Sequence, residues 1–246
     1  MNIHIIACEV FYREISYLAA ICDNNTSVVW LPQGLHDTPD FLRTRVQEEI
    51  DKIERDMEEK NLKHDPDVIV LGYGLCSNGT VGLRSRFLPL VIPKTDDCIG
   101  VFLGSQKTYL QCFKQYPGTY WLNNGWLENA FVPSKENYDR MLRLYAELYG
   151  EDNAEYLLEA ENTWIQNYHY CGYIKSPVYH SDKLFEKAKQ IASYHSWELF
   201  TLPGSLCILK EMLDGNFDEK TFLTCPPGCR VGASYDENKL CVLPAE

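Results

Sequence analysis

Ten cysteines stand at positions 8, 22, 76, 98, 112, 171, 207, 225, 229 and 241 of the 246-residue chain, and three of them fall where chemistry gathers. Cys8 closes the apolar run that starts at Ile3, Cys76 follows the run VIVLGYG from Val68, and Cys98 lies in KTDDC, just past the run PLVIP. Continuous apolar runs of this kind are expected of strands in a parallel sheet covered on both faces. In such a sheet the crevice outside the carboxyl ends of the strands collects the strand-to-helix loops. Neighbouring strands lie about 4.8 Å apart, so sulfurs from several strand ends can converge on one ion. Three thiolates with an optional imidazole suit zinc, and a three-cysteine iron-sulfur cluster with one iron open to substrate fits the same donors.

We therefore expect Cys8, Cys76 and Cys98 as metal ligands, with His36 as the imidazole, because the second predicted strand leads into Gly34-Leu35-His36 at the same edge. These three cysteines contain no CxxC pair, so the inference rests on topology. The alternative is three unrelated buried or singly reactive thiols. Helix N-termini are expected behind Cys76 and Cys98, where they would favour the thiolate. Gly74, Asn78 and Gly79 are expected to let backbone approach a cofactor closely, although GYGLCSNG is not a dinucleotide fingerprint. Asp97 is expected as a general base or as a hydrogen-bond partner of a ligand, and Tyr73 as a supporting catalytic residue. The pairs Cys225/Cys229 in CPPGC and His169/Cys171 in NYHYCGY could each add two donors, but aromatic-rich segments more often pack against a core.

Strands are expected over Ile3–Cys8, Ser27–Leu31, the run from Val68, Pro89–Pro93 and Thr119–Leu122. Between them a helix carries Tyr12, Ile15, Leu18 and Ile21, and a second, capped at Asp37 or Thr38 with Pro39 in its first turn, runs to about Glu59. A third helix is expected from Ile99 to Tyr116. This alternation is the pattern of an α/β fold with a doubly wound, Rossmann-like, mostly parallel sheet and right-handed crossovers. Residues 1–125 would form the first part of the core, 126–170 a Tyr-rich helical insertion, and 171–246 the rest of the core. That last part contains a strand at Tyr173–Lys175, a helix from Ser181, the strand WELFTLP, the helix SLCILKEMLDG and a final strand TFLTCPPGC.

Composition narrows the class. The chain is 45% hydrophobic and 24% charged, as expected of a globular protein, and 23 Lys and Arg against 35 Asp and Glu leave a formal charge of -12. Such a charge repels phosphate backbones and argues against nucleic acid as a partner. No apolar run approaches the roughly 20 residues of a membrane span, and MNIHIIACEV lacks the flank and cleavage site of a signal peptide. A cytoplasmic location is expected, where abundant cysteine points to metal or thiol chemistry rather than disulfides.

The segments ACEVFYREI, GLHDTP, VLGYGLCSNG, VIPKTDDCIGVFLGS, PGTYWL followed by GW, and FLTCPPG together resemble a family of domains of unknown function from methanogenic archaea, anaerobic bacteria and some proteobacteria. Its strongest motifs surround Cys8, Cys76 and Cys98, and the resemblance implies that these three cysteines form a shared site. The association of some members with corrinoid-dependent methyltransferases implies a place in anaerobic one-carbon, methyl-transfer metabolism without fixing a reaction. Cys225 and Cys229 have no counterpart in that resemblance. Three functions follow as expectations. One is a zinc or iron-sulfur protein serving a small-molecule substrate or a methyl-carrier protein. Another is a non-catalytic accessory docking on a corrinoid methyltransferase system through its acidic surface and Tyr-rich segment. The third is a metal-free thiol enzyme with Cys76 as nucleophile.

Overall fold

A computed structural model describes residues 1–244. In chain order the strands are β1 (Asn2–Cys8), β2 (Asn25–Leu31), β3 (Val68–Gly72), β4 (Leu90–Pro93), β5 (Thr119–Leu122), β6 (Tyr170–Lys175), β7 (Glu198–Pro203), β8 (Phe222–Cys225), β9 (Arg230–Ala233) and β10 (Leu240–Leu243). The helices are α1 (Tyr12–Ala19), α2 (Pro39–Glu58), α3 (Cys98–Phe102), α4 (Gln106–Gln115), α5 (Asn124–Asn129), α6 (Lys135–Tyr149), α7 (Glu151–Glu161), α8 (Asp182–Tyr194) and α9 (Cys207–Asp214). The chain divides into two compact units, one formed by Met1–Tyr109 with the chain from Gly204, the other by Leu110–Pro203. Among the described residues no helix is long and apolar enough to cross a membrane.

The first unit is built on a five-stranded sheet of order β2-β1-β3-β4-β8. The first four strands run parallel and β8 runs antiparallel to β4. β3 and β4 are buried along their whole length and β1 from Ile3 to Cys8, which is why their sequences read as unbroken apolar runs rather than alternating ones. α2 begins with Pro39 in its first turn, and it buries Leu42, Val46, Ile50 and Ile53 along one stripe while its other face is charged. β1 and β3 pair in the register Ala7↔Gly72. A Cβ at Gly72 would lie 2.5 Å from the Cβ of Ala7, so only glycine fits there.

The second unit has a parallel sheet of its own, β5-β6-β7, with α5 to α8 around it. This corrects the expected division at 1–125, 126–170 and 171–246. The Tyr-rich stretch is part of a mixed α/β unit, and the strands at Thr119, Tyr170 and Glu198 belong to that second sheet. Periodicity marks a buried strand but carries nothing about which sheet it joins. The aromatic residues pack this unit: Tyr116 stacks on Phe200 with ring centroids 4.0 Å apart, and Tyr120 stacks on Trp197 at 5.3 Å. The single helix expected from Ile99 is two, because Gly104 adopts φ +81° and separates α3 from α4. After β8 the chain adds the antiparallel hairpin β9-β10, which its sequence did not announce.

One buried carboxylate ties the β4 side of the sheet to α2. Glu54, 1% exposed, accepts from the Ser85 hydroxyl at 2.6 Å, the Arg86 and Phe87 amides at 2.6 and 3.0 Å, and Arg86 Nε at 3.1 Å. Burial pushes its pKa up, but these donors pull harder and hold it below the ordinary value. Replacing Glu54 by Ala should lower unfolding stability in urea by about 3 kcal/mol. Because the folded pKa is depressed, the wild-type contribution is complete above the unfolded Glu pKa of about 4.3 and fades as pH falls below it. A urea series from pH 7 to pH 3 should therefore show the gap between wild type and Glu54→Gln closing.

Candidate metal centre

The site grows from strand register. One step beyond the Ala7↔Gly72 pair, Cys8 at the end of β1 lies beside Tyr73 at the end of β3. Past β3 the chain keeps pairing with the segment that follows β4: the Leu75 amide donates to the Thr95 carbonyl and the Cys76 amide to the Asp96 carbonyl, both at 2.8 Å. Cys76 is thus held against the Asp96-Asp97 segment, and Cys98 opens α3 one residue later. β1, β3 and β4 are adjacent, and β2 lies on the far side of β1, so the strand order reverses between β1 and β3. Ligand crevices of open α/β sheets form outside the carboxyl ends of strands at such a reversal.

Each of the three thiols is shifted upward by burial and by charged neighbours. Burial pushes the Cys76 thiol up to about 12, with Asp97 and Cys8 adding to the shift. Burial pushes Cys8 up to about 11, with Glu9 adding. Cys98 is raised well above its ordinary value by burial and then by Asp97, Cys76 and Cys8. Tyr73 is raised by burial and then by Cys8, Cys76 and Cys98 together. Cys8 and Cys76 are 7% and 6% exposed, and Cys98 and Asp97 are half-buried.

The backbone around Cys76 departs from expectation. Cys76, Ser77 and Asn78 are three consecutive non-glycine residues at positive φ, +47°, +55° and +67°. Each such residue costs about 1–2 kcal/mol and is normally found singly. Here the turn is closed by the Gly79 amide donating to the Cys76 carbonyl at 2.9 Å and the Thr80 hydroxyl donating to the Gly74 carbonyl at 3.1 Å. The helix N-terminus expected behind Cys76 is therefore replaced by a left-handed turn, and a backbone hydrogen bond from Gly74 offsets only part of the burial of that sulfur. Gly74 and Gly79 are spent on protein contacts: a Cβ at Gly74 would meet Thr95 Oγ1 at 2.5 Å, and one at Gly79 would meet Leu42 at 2.5 Å. Asn78 offers its carbonyl to Arg43 Nη2 at 3.4 Å.

Asp97 caps α3, its Oδ1 accepting from the Ile99 amide at 2.8 Å, while its Oδ2 accepts from the Tyr109 hydroxyl at 3.0 Å. Burial raises its pKa against the pull of those donors. Asp96 is gripped by Gln106 and by Lys239, whose Nζ stands 3.1 Å from Asp96 Oδ1. Tyr109, Gln106 and Lys239 were not foreseen, since nothing local to them signals a role. Tyr73 is 4% exposed, and its hydroxyl is buried without a hydrogen-bond partner among the described residues. His36 lies apart from this set in its contacts: half-exposed on a short turn after β2, its Nε2 is 3.4 Å from Asp37 Oδ1. Among the described residues no three His, Cys, Asp or Glu side chains already stand close enough together to hold a metal ion.

A family model described as "Protein of unknown function (DUF1638)" matches residues 30–213. The chain belongs to the DUF1638 family. The matched residues take in Cys76, Cys98 and the left-handed turn, and begin beyond Cys8. Neither the curated proteins nor the solved structures yield a match.

Elsewhere in this DUF1638 chain, Cys225 is buried at the end of β8, pushed up to about 11 by burial and by nearby Cys229. Cys171 is fully buried in β6 and, as an isolated thiol, is pushed up to about 12 by burial.

Two outcomes test this geometry. Ser77→Gly should raise stability by about 1 kcal/mol in urea unfolding, because glycine occupies positive φ without a side-chain penalty. In metal-free protein, with a pKa near 12, Cys76 should stay protonated at neutral pH. Its alkylation rate, followed by peptide mapping, should still be climbing at pH 10.

Proposed function

We propose that Cys8, Cys76 and Cys98 form a three-thiolate centre for zinc or an iron-sulfur cluster, with a position left open for a small-molecule ligand or a methyl-carrier protein. The observation that carries the reading is geometric: Cys8 ends the strand beside β3, and the Cys76 amide is bonded to the Asp96 carbonyl two residues before Cys98, at the point where strand order reverses. The donor set fits a thiophilic ion, and the partnerless buried Tyr73 hydroxyl fits a site that gains an acceptor when it is loaded. Since the sulfurs do not already stand at ligand spacing, loading requires them to close inward. The raised thiol pKa values mean that loading must expel protons. We read the first unit as Rossmann-like and doubly wound, and the protein as cytoplasmic and at work in anaerobic one-carbon metabolism, the last on the family resemblance. In this scheme Asp97 accepts protons at the rim, Cys98 faces incoming ligand, and the centre itself would supply Lewis acidity or an open iron. The metal-free alternative with Cys76 as nucleophile is not favoured, because its thiol is pushed up to about 12 and lacks a helix N-terminus. The accessory-protein alternative predicts partner docking without any need for the three thiols.

The deciding experiment is elemental analysis of anaerobically purified protein beside Cys8→Ala, Cys76→Ala and Cys98→Ala. Loss of zinc or iron from all three variants is the expected result. Stoichiometric metal retained in any of them would remove the proposal. In metal titrations with a competing chelator, apparent affinity should rise steeply between pH 6 and pH 9, in the range of roughly one to three protons released per ion.

A further inference from the structure

At the end of β1 opposite Cys8 the first unit carries a cavity of about 600 Å³, lined from β1, the edge strand β2, α2 and the segment before β3. A space of that size takes a small organic molecule. Ile3, Ile53 and Leu62 give it apolar walls, and Lys63 and His64 stand exposed on its lining. In a chain of formal charge -12, none of the described residues that line it is acidic. Asp67, close by in the chain, accepts from the Asn2 amide at 2.7 Å.

The polar centre of the cavity is set by strand register. His4 on β1 pairs with Ser27 on β2, and its Nδ1 stands 2.8 Å from the Ser27 hydroxyl oxygen. Both residues line the cavity. His4 is 6% exposed, and its Nε2 has no hydrogen-bond partner among the described residues. Buried polar atoms are ordinarily paired, so a partnerless ring nitrogen on a cavity lining marks a place for a ligand. Burial, and then the charge of Lys52, push the His4 pKa down to about 4, which leaves the imidazole neutral at pH 7. A neutral imidazole donates from one nitrogen only, and the partner of the other decides which.

We propose that this cavity binds a small organic acid, its carboxylate accepting from His4 Nε2–H with Lys63 as countercharge at the rim, and its apolar part packed against Ile3, Ile53 and Leu62. The Ser27 hydroxyl donates to His4 Nδ1 and so keeps the ring proton on Nε2, which makes Ser27 a positioning residue. Lys52, whose charge already reaches His4, adds positive potential from α2. The site shares no residue with the cysteine centre and stands whether or not that centre holds an ion.

Nitrogen-15 NMR of the imidazole rings tests the free wild type: His4 should carry its proton on Nε2, and a proton on Nδ1 would overturn the proposal. Titration with hexanoate, followed through the His4 ring signals and by calorimetry, should saturate with a Kd of about 1 mM or tighter. Hexanol, which lacks the charge, and inorganic phosphate, which lacks the apolar chain, should each bind at least about tenfold more weakly. His4→Gln and Lys63→Gln should each weaken hexanoate about tenfold, as expected when one partner of a charged group is removed. Ser27→Ala should leave the ring in mixed tautomers and weaken hexanoate about threefold. Lys63 and Ser27 are exposed, so their variants keep the test open should His4→Gln fail to fold. Hexanoate that does not saturate, hexanol or phosphate that binds as well, or hexanoate affinity unmoved by Lys63→Gln would overturn the assignment. A His4 tautomer unchanged in Ser27→Ala would remove the role given to Ser27.

Discussion

The whole arrangement depends on how closely β3 can lie against β1. At the Ala7↔Gly72 pair the two strands approach so tightly that any side chain at Gly72 would run into Ala7. That contact sets the register of two strands whose ends carry Cys8 and Tyr73. Since parallel strands share one direction, the same register also aims the continuation of β3 toward the segment after β4. There the Leu75 and Cys76 amides find the Thr95 and Asp96 carbonyls. A shift of one residue would turn every side chain of β3 to the opposite face and carry Cys76 away from Cys98.

What the sheet brings together is chemically costly. Three thiols and a tyrosine hydroxyl are collected where the acting charges, Asp97 and Glu9, are acidic. Burial and these neighbours favour the protonated sulfurs, and the Tyr73 hydroxyl adds a buried donor with no acceptor. Beside them, three residues in a row sit at positive φ. Such strain persists only where the surroundings over-determine it, and here the apolar core under β1, β3 and α2 supplies that support. Strain, desolvated thiols and an unsatisfied hydroxyl at one sheet edge are the features on which the proposed cation site rests.

The energetic frame is ordinary by comparison. Glu54 shows how this protein handles a buried charge for structural ends: four donors converge on one carboxylate and hold its pKa down. The cysteine neighbourhood does the opposite, leaving acidic groups to raise one another. The contrast between the two sites, within the same unit, is one support for the proposal that the second serves function.

Sequence pattern alone marked β1 to β4, β8, α1, α2 and α9 of the first unit, because apolar runs and the 3.6-residue stripe of α2 are local patterns that burial imposes on any chain, but it missed the break at Gly104 and the β9-β10 hairpin. It also placed Cys8, Cys76 and Cys98 at strand ends, since strand direction alone carries a terminal residue to the carboxyl edge. It did not determine which sheet β5, β6 and β7 would join, because a buried strand looks the same in either. The left-handed turn at Cys76–Asn78 was hidden too, as Cys, Ser and Asn carry no compulsory signal for positive φ. Only tertiary structure decided that Tyr109 would reach Asp97, that the Tyr73 hydroxyl would be buried without a partner among the described residues, and that His36 would stand beside Asp37. Each of these is a contact between segments distant in the chain or a choice among near-equal local partners, and such choices are made by packing rather than by sequence pattern.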